Sequence, residues 1–406
     1  MNNIAGITKY LRYCAMVEVT KIINKVEDIV LYRDSRFFSS FPSIITLKNG
    51  DVCLFFRRGR DIRSILPSPL PEKFQYLTRD IDHVDPRSEI SMIRYKSKLS
   101  SNGKVEGLPV NIEAGDQDPS VIELSDGTVV MASFSWYPFS AEFMDPIGSY
   151  RNQMLGDPAK PSILFIYWGS YVRYSEDGAK SWSPHSYLPP LPNYPPIIPY
   201  QRPFHGGPVR GSMVELNGEL LLATYTTIWK DGPPLTCHLF ASGDKGRTWC
   251  YRAAIAGDEK GVVSFAEPSL YLTPSGKIVA FLRTKDLADD YLATVESMDN
   301  GHTWSPWKEH KVKGHPFHPY KLPDGRVFLS YGYRHEPYGI RARVLDPECN
   351  DIEGAEELIL RDDGFCHDIG YPWSTLLPDG RLCVAYYFST EKDTTRHIAC
   401  TVLELT

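Results

Sequence analysis

The chain has 406 residues, too long for one ordinary domain of 100–200 residues, so it is either two domains or one large repeat fold. Its 44 Lys and Arg stand against 50 Asp and Glu, and the resulting charge of −6 excludes a basic protein that binds by neutralising phosphates. No stretch approaches the roughly 18 apolar residues of a membrane helix. With 32 Pro, 30 Gly, 24 Tyr, 18 Phe and 8 Trp, the composition points to an all-β architecture rich in turns.

Residues 1–30 read as an N-terminal extension, a short helix or a closing outer strand. They lack a basic run followed by an apolar core and a small-residue cleavage site, so the expected location is cytoplasmic. The eight cysteines form no CxxC pair and have no histidine at zinc-finger spacing. Cys53 and Cys383 sit inside apolar runs, as reduced structural thiols do. Neither a structural metal nor a cofactor is expected.

From residue 31 to 406 one pattern recurs six times: an apolar run, a glycine turn, then a β-rich run. The turn glycines are Gly50, Gly127, Gly218, Gly276, Gly325 and Gly380, spaced 77, 91, 58, 49 and 55 residues apart. The runs that follow read DVCLFFRR, TVVMASFSW, ELLLATYTT, KIVAFLRT, RVFLSYGY and RLCVAYYF. Asn-Gly and Asp-Gly suit tight hairpins because both residues tolerate positive φ. A unit of about 50 residues is one four-stranded propeller blade, so six units predict a single six-bladed β-propeller. The two long spacings hold proline-rich insertions, near 62–80 and 137–203. Proline at that density cannot belong to central strands, which places both on the rim.

A second repeat runs through blades 2 to 4. Ser242-Gly-Asp244-Lys-Gly246-Arg-Thr248-Trp249 and Ser297-Met-Asp299-Asn-Gly301-His-Thr303-Trp304 share one pattern, and Ser175-Glu-Asp177-Gly-Ala179-Lys-Ser181-Trp182 carries Ala where Gly is expected. The Asp and Ser side chains suit bonding to turn backbone, with the Trp packed between sheets. These segments resemble the Asp-box (BNR) repeats of the sialidase superfamily, whose fold is a six-bladed β-propeller and whose Asp-boxes lie away from the active site.

Ligands bind a propeller where the strand ends converge on the channel. Counting back from each turn places Phe41, Asp118, Arg210, Glu267, Pro316 (flanked by His315 and His318) and Tyr371 at the starts of the inner strands. The second strands end at Arg57, Phe134, Tyr225, Arg283, the region of Arg334, and Tyr387. Apolar residues would suffice at buried strand ends, so this ring of charged and hydroxylated groups marks a functional centre.

The resemblance assigns roles. Ala266-Glu267-Pro268-Ser269 with Arg283 is similar to the sialidase segment that holds a glutamate and a carboxylate-binding arginine. Gly370-Tyr371-Pro372 resembles the site of the nucleophilic tyrosine, and Arg341 is placed like a later triad arginine, with Arg343 or Arg334 as alternatives. In the family, tyrosine attacks the anomeric carbon while the glutamate takes its proton. A neutral phenol avoids the repulsion a carboxylate nucleophile would meet beside a sugar acid. The general acid is assigned to Asp85, on the stretch Asp82-His83-Val84-Asp85-Pro86, with Asp82, Asp61 and Asp118 as alternatives.

The chain departs from the family at blade 1. Sialidases open that blade with Phe-Arg-Ile-Pro, and here Ser39-Ser40-Phe41-Pro42 stands without the arginine. Arg36, Arg57, Arg58 and Arg60 are the nearby replacements. Histidines also gather at the channel ends, at His205, His315, His318, His335 and His367.

Three functions fit: a sialidase-like exo-hydrolase of a terminal acidic sugar, a lyase or non-sialic hydrolase using His and Tyr on a uronate, or a non-catalytic glycan-binding propeller. Under the first, Tyr371, Glu267 and Asp85 are catalytic. Arg57, Arg60, Asp118, His205, Arg210, Arg283, His318, Arg334 and Arg341 bind substrate. The partner is a small carbohydrate or oligosaccharide, with neither nucleic acid nor membrane involved.

Overall fold

All six turn glycines have positive φ, between 82° and 92°. That conformation is open to glycine and costly for most other residues. Only the blade-3 hairpin is a two-residue turn with both central residues left-handed, Asn217 at 53° and Gly218 at 82°. The other five are wider, each closed by the glycine N–H onto a carbonyl three residues back, as Gly50 closes onto Leu47 at 2.8 Å.

The computed structural model describes residues 23–61, 88–96, 98–112, 115, 117–140, 154–155, 163–192, 206–226, 234–285 and 289–405. They form six antiparallel sheets and, among the described residues, no helix. The inner strands are Phe37–Thr46, Ser120–Glu123, Val214–Leu216, Ser264–Leu272, Phe317–Lys321 and Gly370–Leu376. The second strands are Asp51–Arg60, Val129–Ser140, Glu219–Tyr225, Ile278–Lys285, Val327–Tyr333 and Leu382–Thr390. This is the six-bladed all-β propeller that the turn spacing predicts.

Blade 6 takes its outermost strand from the start of the chain. Ile23–Tyr32 pairs antiparallel with Asp393–Leu405, in register from Ile23 opposite Leu405 to Tyr32 opposite Ile398. Both ends of the described chain therefore lie in one sheet, which ties the first blade to the last and covers an edge that would otherwise be open.

Each sheet packs face to face on both neighbours, so both faces of a central strand are buried. In the second strand of blade 1, Leu54 and Phe56 join Tyr387 and Cys400 of blade 6, while Cys53 and Phe55 join Val129, Met131 and Tyr171 of blade 2. That double burial explains an unbroken apolar run in place of alternation. Cys53, Cys237, Cys349, Cys383 and Cys400 are free and buried. Cys14 lies outside the described residues.

The three S-x-D turns share one geometry at the joint between third and fourth strands. The Ser242 hydroxyl accepts from Gly246 N–H at 2.8 Å, and Asp244 accepts from Thr248 N–H at 2.8 Å and its hydroxyl at 2.6 Å. Ser297 with Asp299 repeats this network, and Ser175 with Asp177 repeats it around Ala179. Ala179 takes φ 63°, a position where its neighbours have glycine. Trp249 is clamped by its indole N–H to the Gly246 carbonyl at 3.2 Å and packs with Val130, Val172 and Phe240 between blades 2 and 3. These turns share the end of the blades that carries the glycine hairpins, opposite the inner-strand starts.

Trp249→Ala should lower unfolding free energy by about 3–5 kcal/mol through the cavity left between two blades. Urea denaturation checks this, and a loss under about 1 kcal/mol would contradict the packing role.

Candidate functional site

Three blades begin their inner strands with the same local device. Phe41-Pro42, Glu267-Pro268 and Tyr371-Pro372 each sit where the ladder with the second strand shifts register: between Ser40 and Ser43, Ala266 and Ser269, and Gly370 and Trp373. Proline has no N–H to give the ladder, so a bulge forms there. The residue before it takes the left-handed conformation, with φ 53° at Phe41, 50° at Glu267 and 52° at Tyr371. Non-glycine residues hold such angles at about 1–3 kcal/mol each, and they cluster at functional sites. The bulges turn these side chains toward the mouth of the channel.

Glu267 and Tyr371 meet there although 104 residues separate them, the phenol O–H donating a short hydrogen bond to Glu267 Oε1. Arg283, at the end of the neighbouring strand, donates through Nη1 to both carboxylate oxygens at 3.1 Å. Arg283 Nε is buried with no acceptor among the described residues. Phe41 packs edge-on against Tyr371 at 4.9 Å and Tyr387 at 5.3 Å. The Arg334 guanidinium lies 5.1 Å from the centre of the Tyr371 ring, held by the Ile369 carbonyl at 3.0 Å and the Tyr387 hydroxyl at 2.7 Å. Tyr387 in turn donates to Asp368 at 2.7 Å.

Charge is distributed unevenly in this pocket. Burial alone would raise the Glu267 carboxyl, but Arg283 foremost, with His315 and the Tyr371 hydroxyl, holds it at about 2. Burial, reinforced by the Glu267 charge, pushes the Tyr371 phenol well above its ordinary value. At neutral pH the pair is a phenol bonded to a carboxylate, which is the form of a nucleophile awaiting its base. Burial, then the Arg283 charge, lowers His315 to about 3, so its imidazole is neutral. Its Nε2 lies 3.7 Å from Asp290, and His335 Nε2 lies 3.7 Å from the same oxygen.

The other sequence candidates divide. Asp118 is buried at the start of the blade-2 inner strand, 4.0 Å from Arg210 Nε. Arg210 is 2% exposed, and its guanidinium lies over the rings of Tyr371 and Trp373. Of the four arginines near the altered blade-1 opening, Arg57 is fully buried opposite Ser40. Arg36 pairs with Asp34, Arg58 pairs with Glu89, and Arg60 is exposed. Asp85 and His205 lie outside the described residues, as do Asp82 and His83.

Two candidates are placed elsewhere. Arg341 is not beside Tyr371: it lies within blade 5, its Nε 3.8 Å from Glu357 and its Nη atoms on the carbonyls of Ile340, Arg361 and Pro337. Of the three alternatives Arg334, Arg341 and Arg343, it is Arg334 that lies over the Tyr371 ring. His318 sits deeper in the channel, its ring tilted against Trp373 with centroids 4.3 Å apart and its Nδ1 accepting from Ser374 N–H at 3.2 Å. It borders a cavity of about 360 Å³ that opens among the later residues of the inner strands, including Thr46, Glu123 and Lys321. Asp290 opens the third strand of blade 4, so it stands at neither a first- nor a second-strand end. Its signal was Asp289-Asp290-Tyr291 immediately before an apolar run.

Residues 165–384 match the BNR repeat-like domain. A solved structure of a protein of unknown function from Dyadobacter fermentans is 37% identical, covers 95% of this chain and 100% of its own, and superposes with a TM-score of 0.82. A variant of the NanB sialidase of Streptococcus pneumoniae is 14% identical over 93% of this chain and 70% of its own, with a TM-score of 0.55. The α-L-arabinanase of Penicillium chrysogenum, solved with arabinobiose, is 12% identical over 94% and 99%, with a TM-score of 0.58. These last two share the fold. No curated protein matches the chain.

The buried groups predict an acid response. His315 titrates near 6.5 when unfolded and about 3 when folded, and Glu267 near 4.5 and about 2. In each window the unfolded chain takes the proton first, so stability is complete above pH 6.5 and declines below it. In Glu267→Gln the slope of the urea midpoint against pH should flatten below about 4.5 and match wild type between 4.5 and 6.5. Identical slopes below 4.5 would show that Glu267 is not held as an ion.

Proposed function

The chain belongs to the BNR repeat-like family of sialidase-like six-bladed propellers, and from that premise we propose that it is an exo-acting glycoside hydrolase of a terminal acidic sugar, with Tyr371 as nucleophile and Glu267 as its base. The observation that carries this reading is the hydrogen bond from the Tyr371 hydroxyl to the Glu267 carboxylate. A binding protein has no need to bury a carboxylate against a phenol inside two strained bulges.

The steps follow from the arrangement. As the phenol oxygen bonds to the anomeric carbon, its proton passes to Glu267 and the glycosidic bond breaks. The departing oxygen takes a proton from the general acid, the role proposed for Asp85. Water then attacks the glycosyl–tyrosine and gives its proton to the ionised acid, which is thereby restored, the phenol regains its proton from Glu267, and the anomeric configuration is retained. Arg283 on the Glu267 carboxylate and Arg334 over the Tyr371 ring set two guanidinium groups around the reacting pair, where they would face a sugar carboxylate. Arg57, buried at the altered blade-1 opening, is proposed to supply the missing cation. A histidine-based lyase reading is disfavoured by the engagement of His318 with Ser374 and Trp373.

Mass spectrometry of products formed from sialosides and uronate-containing oligosaccharides tests the class. A hydrolase adds one water per released sugar, and an unsaturated product would establish a lyase. Tyr371→Phe should cut turnover roughly a thousandfold or more while the far-UV circular dichroism stays unchanged and the melting temperature falls by only a few degrees, since Glu267 loses one donor and keeps Arg283. Turnover left intact would remove the tyrosine mechanism.

Arg283→Lys should raise KM for the acidic substrate by about tenfold, because a point charge replaces a planar fork. Wild-type protein that binds neutral and acidic sugars equally would contradict that role.

A further inference from the structure

Arg210 is buried, and the hydrogen bonds its guanidinium makes lead to backbone. The bulges at Phe41-Pro42 and Tyr371-Pro372 drop out of their ladders, which leaves carbonyls in need of donors. Arg210 reaches across from blade 3 and supplies them. Its Nη2 donates to the Tyr371 carbonyl at 2.9 Å and to the Pro42 carbonyl at 3.3 Å, in blades 6 and 1.

The next two residues meet the third bulge. Gly211 takes φ +126°, and a methyl group there would overlap the Pro268 carbonyl, directly after Glu267. Ser212 completes the contact: its N–H donates to the Ser269 hydroxyl at 3.0 Å, and its carbonyl accepts from Leu270 N–H at 3.1 Å.

We propose that Arg210 and Gly211 form a positioning element that sets the Tyr371 phenol against the Glu267 carboxylate, in place of the substrate-binding role expected of Arg210. The proposal rests on reading that pair as the reactive centre. Glu267 and Tyr371 stand on different blades, so their separation is fixed only by what bridges those blades. Arg210 holds one bulge by its carbonyl and Gly211 seats the other by close approach. The cost of burying the guanidinium is offset by Asp118 and by the Tyr371 and Trp373 rings, each about 5 Å from its central carbon. Reacting groups lose roughly a hundredfold in rate when displaced by about 1 Å, so such a bridge has a catalytic consequence.

The test places 3-fluorotyrosine at position 371 and follows its ¹⁹F resonance, which senses the phenol's hydrogen bond without any substrate. Glu267→Gln marks the position of the resonance when that bond is altered. Arg210→Met should move the resonance toward that mark while far-UV circular dichroism stays unchanged. Arg210→Lys, which keeps the charge but loses the fork, should fall between. Trp249→Ala, which weakens the fold away from the bulges, should leave the resonance in place. An unmoved resonance in folded Arg210→Met overturns the proposal. If that variant does not fold, an unmoved resonance in Arg210→Lys overturns it equally. Failure of the nucleophile reading is distinguishable, because it appears as full turnover by Tyr371→Phe whatever the resonance does.

Discussion

A buried carboxylate must be neutralised, and Glu267 meets that constraint by accepting from Tyr371 and Arg283 at once. An ion left unpaired in such a place would cost several kcal/mol or take up a proton. The surrounding cations keep it charged, and a charged, hydrogen-bonded carboxylate is what a phenol needs in order to become a nucleophile. Under the proposed mechanism, the pairing that preserves the fold also prepares the chemistry. In that mechanism the same pairing restrains Glu267 as a base, because Arg283 stabilises its ionised form. A substrate carboxylate drawing on Arg283 would loosen that hold and return basicity to Glu267.

The backbone that delivers these groups is as specific as the groups themselves. Proline after Phe41, Glu267 and Tyr371 removes a ladder donor at the same place in three blades, and a left-handed residue follows from the bulge geometry. The strain is local, while the bonds that hold it come from other blades, chiefly from Arg210. Ring closure by the first described strand matters here, because bonds that cross the channel are only as rigid as the ring around them.

The parts of the fold that rest on local chemistry were readable in the sequence. Glycines at fixed spacing marked the blades because only glycine takes their φ cheaply, and the Ser-Asp turns were visible because their bonds close within eight residues. Glu267, Arg283 and Tyr371 could be found because strand ends in a propeller converge. Arg341 and Arg334 could not be ranked the same way. The direction of a side chain on a third strand depends on register, and the region just past Tyr333 follows no strand period. Arg210 was assigned to substrate because its partners are carbonyls freed by bulges in other blades, which no local pattern announces. Asp290 was overlooked because third-strand starts also face the mouth and were not counted.

The central claim is that the Tyr371 oxygen forms a bond to the sugar, and trapping that bond tests it most directly. The protein would be incubated with an activated sugar acid bearing fluorine beside the anomeric carbon, which slows release of a glycosyl–enzyme, and then digested for peptide mass mapping. The account predicts one added glycosyl group on the peptide that contains Tyr371, and none in Tyr371→Phe. Glycosylation of Glu267, or product formed with no labelled peptide at any time, would contradict it.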